Sequence, residues 1–186
     1  MGELLWFRLL LSHNMNPLSA IESWKGCSKN YHDFELNGKV VEVKTTMTKE
    51  PRRVHINNER QLDDLGSECF YLYVLTLHAM DSGGQTLPDL VNEIRDILKG
   101  HSSAENLYEM ALKDAGYLDI HVSSYNTGYI QKRQEIFEVK EGFPRITNLP
   151  KGIGNISYSL IISACADFEV DLEMALSNFI GAGTNG

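Results

Sequence analysis

The sequence predicts an α/β or α+β sandwich built on a mixed β-sheet. Three features point there: a Val- and Thr-rich hairpin around Asn37-Gly38, a long β-prone run at Cys69 to Ala79, and two segments of helical period after it. In chain order the elements read helix, three strands, helix, strand, then a mixed C-terminal half.

Gly2 to Leu11 is an apolar run of helical length. Asn16-Pro17 opens a second short helix to about Trp24, with Asn16 as cap and Pro17 in the first turn. Tyr31 to Leu36 is the first strand. Asn37-Gly38 closes a tight turn, because both residues tolerate positive φ. Lys39 to Thr46 follows as the second strand and Arg52 to Asn57 as the third. Asn58 to Leu65 reads as a short helix. Cys69 to Ala79, with Phe70, Tyr71, Tyr73 and Val74, is a central buried strand. Helices are expected from about Pro88 to Lys99, with Leu90, Ile94, Ile97 and Leu98 on one face, and from about Ala104 to Ala115, where Gly116 stops the second. Tyr129 to Lys140 and Asn155 to Ser163 are later strands, and Glu169 to Ile180 is a closing helix. With no internal repeat or low-complexity linker, residues 1–180 are expected to form a single domain, and 181–186 a flexible tail.

The 186 residues are 42% apolar and 23% charged, ordinary values for a soluble globular protein. The net charge of −8 argues against a nucleic-acid partner until its distribution is followed. Gly38 to Arg60 holds six basic residues against three acidic; Gln61 to Ile120 holds three against eleven. Screening confines fields to about 8–10 Å, so a local positive patch on an acidic protein can still hold phosphate. Cys27, Cys69 and Cys165 are odd in number and widely spaced, which disfavours a disulfide framework or a zinc site and favours a reducing compartment. Glu3 and Arg8 interrupt the apolar opening run and no cleavage site follows, so a signal peptide is not expected. No apolar run reaches the length of about 20 residues that spans a bilayer. The expected setting is the cytoplasm, with no membrane partner.

The chemistry gathers on the hairpin. A two-residue turn pairs Leu36 with Lys39, Glu35 with Val40, Phe34 with Val41 and Asp33 with Glu42. Asp33 and Glu42 are then opposed on one sheet face, with Cβ atoms about 4.5–5.5 Å apart, and alternation adds Lys44 to that face. Phe34, Val41 and Val43 point the other way, into the core. Opposed carboxylates repel, and Lys44 offsets only part of that cost. A hard divalent cation would offset more, taking carboxylate oxygens, water and a substrate phosphate. A solvated surface hairpin would carry the same residue types. The apolar opposite face and the Lys49/Arg52/Arg53 cluster that follows argue for the metal reading.

The segments His32-Asp33-Phe34-Glu35-Leu36 and Val41-Glu42-Val43-Lys44-Thr45-Thr46 resemble the D…ExK signature of the PD-(D/E)XK nuclease superfamily. More narrowly they resemble the bacterial "PD-(D/E)XK motif" proteins, formerly a domain of unknown function. The resemblance continues through Pro51-Arg52-Arg53-Val54, Glu59-Arg60-Gln61-Leu62, Leu87-Pro88-Asp89-Leu90, Ala115-Gly116-Tyr117, Glu141-Gly142-Phe143-Pro144-Arg145 and Tyr158-Ser159-Leu160. It implies a restriction-endonuclease-like αβββαβ core with a C-terminal helix and strand extension. It also implies Mg²⁺ dependence, with Mn²⁺ as substitute, phosphodiester hydrolysis of DNA, endonucleolytic rather than exonucleolytic, and a place in restriction or phage-defence systems whose other subunits would be partners. A homo-oligomer is compatible with it. Asp33 and Glu42, with the Val43 backbone carbonyl and Glu3, are the implied metal set; Asp33, Glu42 and Lys44 are the implied catalytic set. His32 stands where the superfamily name has proline, and relatives extend further at the N-terminus, so an N-terminally truncated or minimal version is expected.

Further candidates have two readings each. Glu3 falls on the apolar side of the first helix near Trp6, Phe7 and Leu10, where a carboxylate needs a partner; a favourable first-turn acid is the plainer account. Glu35 reads as a rim residue. Gln61 resembles glutamines that contact water or substrate, or is ordinary helix surface. Lys49, Arg52 and Arg53 are candidate contacts to backbone phosphate, with Arg52 and Arg53 sent to opposite faces by alternation. His32 reads as a packed histidine. The function expected first is a Mg²⁺-dependent nuclease. A non-catalytic module of the same fold, binding DNA or partner proteins, is the competing class, and a nuclease active only within an assembly is a third.

Overall fold

The computed structural model describes residues 1–26, 31–64 and 66–181. Cys27, Leu65 at the end of the expected short helix, and residues 182–186 of the expected tail lie outside them. The strands are β1 (Phe34–Leu36), β2 (Lys39–Thr46), β3 (Arg53–Ile56), β4 (Cys69–Met80), β5 (Gly128–Glu138) and β6 (Tyr158–Ile161). The helices are α1 (Gly2–Ser12), α2 (Pro17–Ser23), α3 (Leu87–Leu98), α4 (Ser102–Asp114) and α5 (Leu172–Ile180).

Asn37 and Gly38 hold φ of 49° and 77°, the pair of left-handed residues that a two-residue turn of this twist requires. The turn sets β1 against β2 in the expected register, Phe34–Val41, Glu35–Val40 and Leu36–Lys39. β2 pairs in parallel with β4, and β4 antiparallel with β5. The result is a mixed four-stranded sheet in the order β1-β2-β4-β5, within an α+β architecture. β3 does not join it. It pairs antiparallel with β6 as a separate two-stranded sheet. Val54 and Ile56 of β3 are buried and Arg53 and His55 are exposed, so this small sheet is apolar on one face and lies with that face over the large one.

Helix ends follow local chemistry. The Asn16 side chain accepts from the amides of Leu18 and Ser19, and Thr86 and Asp89 form a reciprocal capping box on α3. The buried stripe of α3 is Leu90, Val91, Ile94 and Leu98; Ile97, expected on that face, stands exposed at its rim.

Two apolar clusters flank the large sheet. Trp6, Phe7 and Leu10 of α1 meet Phe34, Val41, Val43, Tyr73 and Leu75 on one side, together with Tyr108 of α4 and Phe179 of α5. On the other side Val40, Phe70, Leu72 and Val74 meet Val54, Ile56, Leu62 and Leu160. Strand alternation sorts β2 and β4 between these clusters residue by residue. β2 is therefore covered on both faces, and the face carrying Glu42 and Lys44 is an inner surface between sheets. Among the described residues no helix is long and apolar enough to cross a membrane.

Candidate active site

Glu42 and Lys44 share one face of β2, as alternation requires, and Glu42 is 0% exposed. Lys44, whose side chain is 12% exposed, places Nζ 2.6 Å from Glu42 Oε1. Lys44 is the one partner that reaches the Glu42 carboxylate among the described residues, as an ion pair at Oε1. Lys44 Nζ also donates to Gln61 Oε1 at 3.1 Å, and the same oxygen accepts the Asn57 amide at 2.8 Å. Gln61 lies on a 3-10 turn, Glu59–Leu62, whose Leu62 is buried in the second cluster.

Asp33 does not continue the strand opposite Glu42. Regular pairing stops at Phe34, and the Asp33 carbonyl accepts the amides of Lys25 (2.7 Å) and Gly26 (3.0 Å). Its side chain turns onto the edge of β2, where Oδ2 accepts the Val43 amide at 2.8 Å. The chain entering β1 is held by the segment after α2, and a bridge between Trp24 and Phe34 belongs to the same contact. The two acids still act on each other: Asp33 is the nearby charge that most raises the pKa of Glu42.

Glu3 comes from α1. Its Oε2 accepts the Trp24 indole N–H at 2.6 Å. A Cβ at Gly26 would lie 2.5 Å from Glu3 Oε2 and 2.8 Å from Asp33 Oδ1. Glycine at 26 therefore leaves room for two acids to approach from separate elements.

The electrostatics are lopsided. Burial, followed by the charge of Glu3, raises the Asp33 carboxyl above its ordinary range, with the Val43 amide and Lys44 opposing. Burial, then Asp33, pushes Glu42 up to about 8, with Lys44 opposing. Three carboxylates thus face one nearby ammonium, in a setting where charge is expensive. A buried Glu42 whose Oε2 lacks a partner among the described residues, and a glycine cradle between Glu3 and Asp33, suit a hard divalent cation. Such ions often take only one or two carboxylates, with water and substrate oxygens completing the shell. Among the described residues no group of three or more His, Cys, Asp or Glu that could hold a metal ion is found, so any ion here would rest on one or two carboxylates.

The basic residues divide. Lys49 and Arg53 are exposed. Arg52 is a correction to the expected phosphate-contacting cluster, because its guanidinium is committed inward. It grips Glu135 through two nitrogens, and also reaches Thr76 Oγ1 and Glu50 Oε1, each at 3.2 Å. The acid on β5 is the partner that a cation beneath β3 requires. Gln61 is likewise no open helix surface, since its oxygen is shared by Lys44 and Asn57. Glu35 pairs with His32 Nδ1 at 3.2 Å. His32 packs edge-to-face on Phe70, in the second cluster rather than beside Phe34. A cleft of about 350 Å³ opens beside the hairpin, lined by His32, Glu35, Lys39, Val40 and Asp63 among others; its lining includes neither Asp33 nor Glu42. Sequence reasoning missed Trp24 and Gly26. Trp24 offered only the end of a helix as a signal, and Gly26 carries no positive φ that a turn motif would mark.

A family model described as "Putative PD-(D/E)XK family member, (DUF4420)" matches residues 1–163. No curated protein and no solved structure matches the chain.

Proposed function

From the premise that the chain belongs to this PD-(D/E)XK-related family, we propose that it is a metal-dependent nuclease that hydrolyses phosphodiester bonds of DNA. The observation that carries this reading is the approach of Asp33 to Glu3 across Gly26 and its charge acting on the buried Glu42, which Lys44 meets as an ion pair. Asp33 and Glu42, with the Val43 carbonyl and Glu3, are the residues to hold Mg²⁺, or Mn²⁺ in its place. When bound, the ion would polarise a phosphoryl oxygen and acidify a water. Lys44, steadied by Gln61, would orient the attacking water and offset charge on the phosphoryl oxygens as it develops. Lys49 and Arg53 supply exposed positive charge for the backbone, setting affinity without reading sequence. The resemblance supports endonucleolytic action, a bacterial restriction or phage-defence setting with partner subunits, and a cytoplasmic location.

The test is cleavage of plasmid and linear DNA with Mg²⁺ or Mn²⁺ by the wild-type chain beside Glu42→Ala and Lys44→Ala. Metal-dependent products that vanish in both variants are expected. Identical product patterns from all three proteins would sink the proposal.

One observation favours a second reading, a non-catalytic module of the same fold that binds DNA or a partner. Glu42 is wholly buried, and the cleft beside the hairpin bypasses it. That reading expects DNA binding indifferent to Glu42→Ala and no Mn²⁺ heat in calorimetry. Mn²⁺ binding that is lost in Asp33→Asn counts against it.

A further inference from the structure

The 3-10 turn that supplies Gln61 also carries Arg60. The Arg60 guanidinium lies 5.0 Å from the centroid of the Tyr31 ring, and its Nη1 donates to the Tyr31 hydroxyl. Tyr31 stands two residues before Asp33, and Arg60 directly precedes the glutamine that holds Lys44. The pair therefore joins the two segments that deliver Asp33 and the Lys44 support. Tyr31 is 51% exposed and Arg60 is exposed as well. Arg8, Arg52, Arg95 and Arg145 each engage a carboxylate; Arg60, like Arg53 and Arg133, forms no ion pair among the described residues, though its charge acts on the neighbouring Glu59. An aromatic ring and an exposed guanidinium without a salt-bridge partner are thus held together at the surface beside the site.

We propose that Tyr31 and Arg60 form a clamp for an unpaired nucleotide, the ring stacking on a base and the guanidinium taking the adjoining phosphate. The inference rests on the nuclease reading above and adds to it a preference for DNA that offers an unpaired nucleotide. Stacking on a side chain needs an open π-face, which bases inside a duplex lack. Every base has such a face, so the grip tolerates sequence. Arginine is suited to both halves of the task, since its planar fork stacks on rings and meets phosphate oxygens with paired donors. A purely structural strap between the two segments would use the same contacts but would not distinguish single strand from duplex.

The test is anisotropy of a labelled oligothymidylate and of a labelled duplex on the full chain, with Ca²⁺ replacing Mg²⁺. Wild type, Tyr31→Ala, Tyr31→Phe and Arg60→Ala are compared, with a thermal melt of each. Tyr31→Ala is expected to weaken oligothymidylate binding by about tenfold or more, and duplex binding by less than about twofold. Tyr31→Phe keeps the ring and most of the affinity. Arg60→Ala weakens binding and flattens its salt dependence by about one counterion. Unchanged oligothymidylate affinity in Tyr31→Ala overturns the clamp, as does an equal loss on both ligands or failure of wild type to bind the oligothymidylate. Selective loss of oligothymidylate binding without any DNA cleavage would remove the hydrolase and leave the clamp; intact cleavage with unaltered binding would do the reverse.

Discussion

Lys44 Nζ sits 2.6 Å from Glu42 Oε1, and that carboxylate has no access to water. One ammonium is set against Glu42 and Asp33, so the proton content of the site contributes to stability. The carboxyl of Glu42 is raised from 4.5 to about 8 by burial and by Asp33. Between those values the folded chain holds a proton that the unfolded chain has lost, so stability falls as pH rises. Asp33 moves in the same direction. Without divalent metal, the melting temperature is expected to drop by several degrees from pH 5.5 to pH 8, at about 2–4 °C per kcal/mol for a domain of this size. Glu42→Gln should flatten that slope. A slope equal to wild type in the variant would refute the assignment.

Metal should reverse the trend. As pH rises towards 8 the site gains negative charge, and a bound cation stabilises the folded state by mass action, by about 2.7 kcal/mol at a hundredfold excess over Kd. Scanning calorimetry at pH 8 with Mg²⁺ or Mn²⁺ is expected to show a higher melting temperature in wild type, and little change in Asp33→Asn or Glu42→Gln.

Gly26→Ala tests the cradle. The added methyl would meet the carboxylates of Glu3 and Asp33 at 2.5 and 2.8 Å, and Glu3 is restrained by the Trp24 indole. Both groups must shift, and displacement of positioned groups by about 1 Å costs on the order of 100-fold in rate. DNA cleavage is expected to fall by at least tenfold, while the melting temperature changes by only a few degrees. Full activity in this variant would show that the cradle has no part in the site.

Arg52 and Arg53 should separate cleanly. Removing Arg52 strands Glu135, a partly buried acid, and is expected to destabilise the fold by about 2–3 kcal/mol. DNA affinity of the folded fraction should be unchanged. Arg53→Ala should leave stability within about 0.5 kcal/mol and weaken DNA binding with a smaller salt dependence. Chemical denaturation and a salt titration of binding read the two effects.

Gln61→Ala leaves Lys44 without its neutral acceptor and Asn57 without its side-chain partner. We expect kcat to fall about tenfold with KM nearly unchanged, because Gln61 acts through the lysine and not on the substrate. A rise in KM alone would return Gln61 to the role of a nucleic-acid contact.

The sequence by itself determined the elements whose causes are local. Asn37-Gly38 chose the turn through its tolerance of positive φ, and the turn set the register of Phe34 against Val41. Alternation then put Glu42 and Lys44 on one face, and Asn16 and Thr86 capped their helices. Tertiary structure alone decided what depended on distant segments. It drew Asp33 out of the ladder through Lys25 and Gly26, and brought Glu3 to it across α1. It moved β3 into a second sheet that seals Glu42, and turned Arg52 toward an acid 83 residues away. Backbone sterics and side-chain period act over a few residues, so they are written in the local sequence. The pairing of buried charges depends on which far-off groups the packed layers bring within reach.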